Sequence, residues 1–401
     1  MQIITNRVTL VGAPDPKLPY FDVLMPTPYG TTYNSYLVRG DVKTALIDPV
    51  QSDKIECLLR NLKAMKVEKL DYIFCLHTEQ DHSGAIIMLC DLFPEAQLVG
   101  SAKVAELMEF HFHIPRGKFQ IVAEGDVISL GGISLVCMPV PFAHWPDNTM
   151  FWVPEERVLF SSDLFGSHYA PAVASCPDKA VQLLEARAYF SEIMMPTSTH
   201  VARYTAKVRE LNPAFICAAH GPVWFEPDAI LSEYELMVSN KVRRDVVLAY
   251  VTMHESTGRM VQVLADELCA EGIRVSLFNL GDPKRDLRVT LGSVVTETVN
   301  AAAFLLTSPT VLGGPHPSAA AMALMINAFN PSLRFMGILG SFGWGSQMVK
   351  QLEGLTARVK AERLEPLLLR GLPTEEGEEQ IRQYARELAG RLKAIPEEEI
   401  V

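Results

Sequence analysis

His77-Thr78-Glu79-Gln80-Asp81-His82 places four imidazole or carboxylate groups within six residues. The segment follows the apolar run Tyr72 to Leu76, which reads as a buried strand, and it leads into Ser83-Gly84, where a helix to Leu92 is expected. Groups of this kind, placed just past a strand end, can converge on metal.

Three further segments share that layout. His144 follows a strand expected from Ile133 to Val140, within Ala143-His144-Trp145-Pro146-Asp147. Asp163 ends the strand Val158 to Ser162, and His220 ends Phe215 to Ala219. If these strands are neighbours with aligned ends, His77, Glu79, Asp81, His82, His144, Asp163 and His220 gather on one edge of a domain. A lone histidine or aspartate at a strand end is ordinarily structural or solvated; the recurrence is what points to a site. His111, His113, His168, His200 and His316 lack the layout and read as surface or packing residues, with His111 and His113 candidates for supporting the metal ligands.

A chain of 401 residues is long for one core and suggests two domains. Up to about residue 225, short strands alternate with loops and occasional helices. Thr44 to Ile47, Ala96 to Val99 and Thr149 to Val153 are further strands, and Ala102 to Phe112 a helix, together suggesting an α/β sandwich with sheets in its middle. From about Asp245 the rhythm is strand, loop, helix. Five strands are expected, at Val246 to Val251, Ile273 to Phe278, Ala301 to Leu306, Arg334 to Leu339 and Glu365 to Leu369. Helices are expected at Thr257 to Ala270, Ser318 to Phe329, Ser346 to Leu355 and Glu375 to Leu392. This alternation is the signature of a doubly wound parallel sheet. The basic stretch Ser239 to Arg244 reads as the linker, giving domains 1–240 and 241–401.

The net charge of −11 argues against a nucleic-acid binder, which needs a basic surface. Nothing approaches the roughly 18 uninterrupted apolar residues of a spanning helix, and the N-terminus has no secretory pattern. The seven scattered cysteines contain no Cys-x-x-Cys pair. They read as buried free thiols of a cytoplasmic protein, without a fused rubredoxin or iron–sulfur module.

The pattern His-x-[His/Glu]-x-Asp-His, with later His, Asp and His, resembles the metallo-β-lactamase superfamily, an αββα sandwich. In its zinc hydrolases the third position is normally histidine; here it is Glu79. Four imidazoles and three carboxylates make a harder, more anionic set, suited to iron that changes oxidation state. The substitution resembles that of the flavodiiron proteins, as do Gly30 to Tyr36, His144 to Asp147 and His220-Gly221-Pro222. By motif position the resemblance implies that His77, Glu79 and His144 hold one iron. Asp81, His82 and His220 would hold the other, with Asp163 bridging and His82 not ligating in every member. The segment between Asp163 and His220 is slightly short for the family.

In a doubly wound fold ligands bind at the carboxyl ends of the strands. Thr252-Met253-His254-Glu255-Ser256-Thr257 joins the first strand of the second domain to its helix, where hydroxyls and amides at a helix N-terminus can hold a phosphate. It is neither a Walker loop nor Gly-x-Gly-x-x-Gly, and taken alone it reads first as a helix-capping turn. Thr307-Ser308-Pro309-Thr310-Val311-Leu312-Gly313-Gly314 and Gly340-Ser341-Phe342-Gly343-Trp344-Gly345 follow the third and fourth strands. Their small residues let backbone approach a planar ring, and Phe342 or Trp344 could shield its faces. The three loops resemble the flavodoxin pattern, which implies FMN and a flavodoxin-like five-stranded parallel sheet. Glu255 departs from that pattern, since a carboxylate repels phosphate unless it points outward. Gly258 is a poor helix residue, and Arg259 is a candidate to offset the charge.

The resemblance implies an oxidoreductase that reduces O2 to water, NO to N2O, or both, at a non-haem diiron site fed through FMN. It further implies a rubredoxin-like external donor and a head-to-tail homodimer, with a tetramer as the larger alternative. A binuclear zinc hydrolase carrying a flavodoxin domain is the competing reading, against which Glu79 counts. An electron carrier with an inert metal domain is a third, against which the full ligand set counts.

Overall fold

The computed structural model describes every residue from Met1 to Val401. The chain divides into two compact units: Met1–Val23 with Thr27–Glu235, and Leu24–Pro26 with Leu236–Val401.

The first unit contains two sheets. One has the spatial order Gln2–Ile3, Val8–Leu10, Tyr36–Arg39, Thr44–Ile47, Tyr72–Phe74, Gln97–Gly100, Phe119–Ile121. The other runs Val127–Ser129, Ser134–Pro139, Thr149–Val153, Val158–Ser162, Phe215–Ala218. Ile47, Phe74 and Leu76 share one buried cluster with Leu135, Phe151 and Phe160 of the second sheet. Phe74 and Phe151 meet edge to face, ring centroids 4.9 Å apart. Burying a large apolar side chain stabilises by about 1.5–3 kcal/mol, so this shared cluster is what joins the two sheets. Helices complete a metallo-β-lactamase-like αββα arrangement. Ala102–Phe112 starts where the Ser101 hydroxyl accepts from the Val104 amide, and Lys179–Tyr189 where Asp178 accepts from Ala180 and Val181.

The second unit is a parallel sheet in the order Arg274–Asn279, Arg243–Tyr250, Ala301–Val311, Phe335–Phe342, with Leu367–Arg370 and the short Glu362–Arg363 both on the last edge. The chain therefore runs outward from Arg243–Tyr250 in one direction and then the other, and the reversal opens a crevice between Arg243–Tyr250 and Ala301–Val311. Ala301 to Leu306 are all buried, as expected for a central parallel strand covered on both faces. No helix is long and apolar enough to cross a membrane.

Several local expectations are corrected. The helix expected from Ser83 to Leu92 is two: Gln80–Ser83, which already contains Asp81 and His82, and Ile86–Leu92. Gly84 lies at the break, where a Cβ would sit 2.5 Å from the Gln80 carbonyl oxygen. The third strand of the second unit continues to Val311, so Thr307 to Val311 are strand and not loop. Leu287–Thr298 is a helix that was not expected; its N-cap is Asp286, but its Val and Thr content favours strand. Of the cysteines only Cys75, Cys137 and Cys217 are buried; Cys176 and Cys269 are exposed, so the reading of buried thiols fails for these two.

Candidate functional site

The structure brings all the expected metal ligands together at one edge of the two-sheet unit. His77 leaves the strand Tyr72–Phe74, and Glu79 immediately precedes the turn of helix carrying Asp81 and His82. That turn is pinned by Ser83, whose hydroxyl donates to the carbonyls of Thr78 and Glu79 at 2.8 Å each. His144, Asp163 and His220 come from beyond the strands of the second sheet.

Two groups form. His77, His144 and Asp163 place one ligand atom each within 4.8 Å of one another, and so do Asp81, His82 and His220. Glu79 joins the first: its Oε2 is 3.1 Å from His77 Nε2 and 3.3 Å from His144 Nε2. Asp163 stands between them. Its Oδ1 lies 2.9 Å from His82 Nε2 and 3.6 Å from His220 Nε2. Its Oδ2 lies 3.6 Å from His77 Nε2 and 3.5 Å from His144 Nε2. His77, Asp81, His82, Asp163 and His220 are buried, while Glu79 and His144 remain partly exposed and mark the open side.

The electrostatics are those of an anionic nest. Burial opposes charge on Glu79, but His144 and His77 outweigh it and hold the carboxyl down at about 2. Burial likewise opposes charge on His77; its hydrogen bonds to Asp147 and Glu79 and the charge of Asp163 lift it to about 10. Asp163 stays well below the usual carboxylate range, because its burial is outweighed chiefly by the charge of His82. Asp81 Oδ1 is buried with no hydrogen-bond partner. A cluster of ionised carboxylates and imidazole rings, one carboxylate oxygen left without a partner, fits hard divalent or trivalent cations, which would take the place of the protons on the rings.

Outside the ligands lies a layer that sequence reasoning largely missed. Asp48 Oδ1 accepts the Leu76 amide at 2.7 Å, and Oδ2 lies 3.4 Å from His82 Nδ1. It directly follows the strand Thr44–Ile47, so the strand-end pattern would have found it. His220 Nδ1 is 2.7 Å from the Thr32 carbonyl oxygen, which turns Nε2 toward Asp81 Oδ2 at 2.9 Å. The Tyr189 hydroxyl donates to Asp163 Oδ1 at 2.8 Å. His168, read as surface or packing, is buried, stacked on Phe21 at 4.4 Å and 5.5 Å from the His220 ring. Burial and the charge of His220 push its pKa well below the usual imidazole range, so it is a neutral ring. Of the two candidate supports, His111 reaches Gln80 at 3.5 Å and lies 6.1 Å from the Trp145 ring, whereas His113 caps the C-terminus of its helix.

The second unit presents its three segments at the carboxyl ends of neighbouring strands. Thr252 to Glu255 form the loop after Arg243–Tyr250, and Ser256 and Thr257 open the helix Ser256–Ala270. Thr257 Oγ1 donates to the Val251 carbonyl, and Thr252 Oγ1 accepts the Gly258 amide at 3.1 Å. Gln347 N donates to the Gly313 carbonyl at 2.7 Å, and Thr310 Oγ1 lies 2.8 Å from Ser346 Oγ, so the other two segments are tied to each other. A Cβ on Gly313, Gly343 or Gly345 would meet nothing within 4 Å, and Leu312 and Trp344 stand exposed beside that space. Ser308, Pro309 and Ser341 lie inside the strands and are buried, while Phe342 is half-buried. The Ser308 hydroxyl is already engaged, donating to the Pro309 carbonyl and accepting the His316 amide. Arg259 is turned away from the loop and pairs with Glu378 at 2.6 Å, so it does not offset the charge of Glu255.

Comparison with known proteins places this geometry. The family model described as ODP family beta lactamase matches residues 31–221. A nitric oxide reductase of Moorella thermoacetica is 32% identical, the alignment covering 97% of this chain and 98% of that protein. The solved structure of rubredoxin oxygen:oxidoreductase from Desulfovibrio gigas superposes with a TM-score of 0.91 at 29% identity, covering 98% of each chain. The flavodiiron protein from Giardia intestinalis gives 0.89 at 25% identity, covering 100% of this chain and 98% of that one.

Proposed function

This chain belongs to the flavodiiron protein family, and from that premise we propose that it is an oxidoreductase reducing dioxygen to water, nitric oxide to nitrous oxide, or both. The observation that carries the reading is Asp163, whose two carboxylate oxygens each face a different group of ligands.

His77, Glu79 and His144 would hold one iron, Asp81, His82 and His220 the other, and Asp163 would bridge. The irons, when bound, supply the open coordination positions and the one-electron steps. The chain's part is to hold that geometry and keep the pocket dry. Asp147 and Asp48 fix the rings of His77 and His82, Thr32 fixes His220, and Tyr189 steadies the bridge. Glu79 and His144 leave one face of the first group accessible to a small gas.

FMN is the flavin this reading assigns to the second unit. The amides from Met253 to Thr257 would take its phosphate, and the open backbone of Gly313, Gly343 and Gly345, beside Leu312 and Trp344, its ring. A rubredoxin-like carrier is the external donor, as the name of the Desulfovibrio gigas relative suggests for that protein. Two chains pair head to tail, in line with the family, and the free thiols suit a reducing cytoplasm.

The test is anaerobic. The iron- and FMN-loaded protein is reduced, and consumption of O2 and NO is followed separately with electrodes. Rapid loss of either gas supports the reductase, and the ratio of rates sets the preference. Stoichiometric zinc with hydrolytic turnover, and no gas consumption, would replace it with the zinc hydrolase.

A further inference from the structure

We infer that Glu255 is a built-in rival of the cofactor's phosphate, narrowing this chain's preference for a phosphorylated over an unphosphorylated flavin. The inference rests on the FMN reading above and concerns one residue within it.

Glu255 caps the helix Ser256–Ala270 from a left-handed backbone conformation, φ 64° and ψ −6°, and its side chain makes no capping hydrogen bond. Glutamate is an unusual choice there, since glycine or asparagine meets that conformation with less strain. The carboxylate is folded forward over the first turn. A Cβ built on Gly258 would lie 2.6 Å from Glu255 Oε2 and 3.2 Å from Thr252 Oγ1. The carboxylate, the loop hydroxyl and the first helical turn thus converge on one small space, and Gly258 is what leaves room for it. Thr252 Oγ1 already caps the Gly258 amide, so Glu255 is not needed for that role.

Nothing neutralises this charge. Glu255 has no ion-pair partner, and Arg259, the cation of the first turn, is held by Glu378, which also binds Arg382. A carboxylate at a helix N-terminus is favoured by the same dipole that favours a phosphate. Being acceptor-only when ionised, it can give the phosphate no hydrogen bond in return. An incoming phosphate dianion therefore meets like charge on the turn meant to hold it, whereas riboflavin, lacking phosphate, does not.

The test uses the full chain stripped of flavin, titrated with FMN and with riboflavin by quenching of flavin fluorescence. Glu255→Gln keeps the shape and removes the charge. We expect it to tighten FMN by about tenfold, with the gain shrinking at high salt, and to leave riboflavin unchanged. Glu255→Gly, which also suits the left-handed backbone, should tighten FMN at least as much. Circular dichroism of each apo variant checks that the fold is intact. Unchanged FMN affinity in both folded variants, or an equal shift for both flavins, would overturn the role of Glu255. Failure of FMN to bind even the wild-type chain would instead overturn the FMN reading from which the inference starts.

Discussion

Asp147 Oδ2 lies 3.1 Å from His77 Nδ1 and also accepts the amide and the hydroxyl of Thr78, each at 2.8 Å. One buried carboxylate thus sets both the ring orientation of a proposed ligand and the backbone that carries it. With Nδ1 engaged, Nε2 is the nitrogen presented to the site, and the carboxylate makes it a stronger donor.

Replacing that oxygen with an amide nitrogen puts a donor where acceptors are needed. Asp147→Asn is expected to weaken iron binding by about 10–100-fold. Competition with a chelator measures it; retention equal to wild type would mean that His77 is oriented by something else.

Glu79 distinguishes the proposed ligand set from that of a zinc hydrolase. Glu79→Ala removes the carboxylate shared by His77 and His144, so the iron content should drop to about half. Consumption of O2 and NO should fall by at least about 100-fold. Metal analysis beside electrode assays reads both, and undiminished gas reduction would sink the assignment. Stripping iron from the wild-type chain should abolish turnover, with recovery on adding ferrous iron.

Gly221 ties His220 to the fold. Its φ is +85°, and a Cβ there would fall 2.0 Å from Ser167 Oγ and 2.7 Å from the Ser167 carbonyl oxygen. Its amide donates to Thr32 Oγ1 at 2.7 Å, on the residue whose carbonyl faces His220 Nδ1. Gly221→Ala should cost about 2–4 kcal/mol and loosen the Asp81, His82 and His220 group more than the other. A thermal melt with iron quantification checks both. A variant with unaltered melting would show that Ser167 yields.

On the helix Lys179–Tyr189, Glu185 is buried and its carboxyl is pushed up by burial from 4.5 to about 7. The folded state therefore holds this proton more tightly than the unfolded chain does. The linked stability is complete below about pH 4.5 and is lost as pH rises through about 7, a swing of about 3 kcal/mol. Glu192, raised to about 8 by burial and then by the charge of Glu185, adds to the same trend. Glu185→Gln should be more stable than wild type at pH 8 and close to it at pH 4.5, measured by urea unfolding. Parallel pH profiles for the two proteins would exclude Glu185 as the source.

Much of the molecule was legible from local chemistry. The strands Thr44–Ile47, Thr149–Val153 and Val158–Ser162 and the helix Ala102–Phe112 have the expected bounds, because each is a run of uniform character ended by polar or small residues. The helix Leu287–Thr298 was not legible, since its β-branched residues favour strand and only packing in the second unit overrides them. Thr307 to Val311 read as loop because of Ser308 and Pro309, yet pairing with Phe335–Phe342 carries the strand through them. Tyr189 and His168 carried no signal, for neither sits at a strand end; folding of the segment between Asp163 and His220 brings them to the ligands.

By itself the sequence determined which kinds of donor the site offers and that they recur where strands end. Glu79 in place of a histidine is a chemical fact that needs no coordinates. The tertiary structure decided how those donors are shared: that Asp163 faces both groups, that Asp48 and Asp147 stand behind His82 and His77, and that Glu255 folds over Gly258. The reason is physical. Two sheets packed face to face bring His77 and Asp163, far apart in the chain, within 3.6 Å, and that distance depends on strand register, since a slip of one residue would turn either side chain to the opposite face.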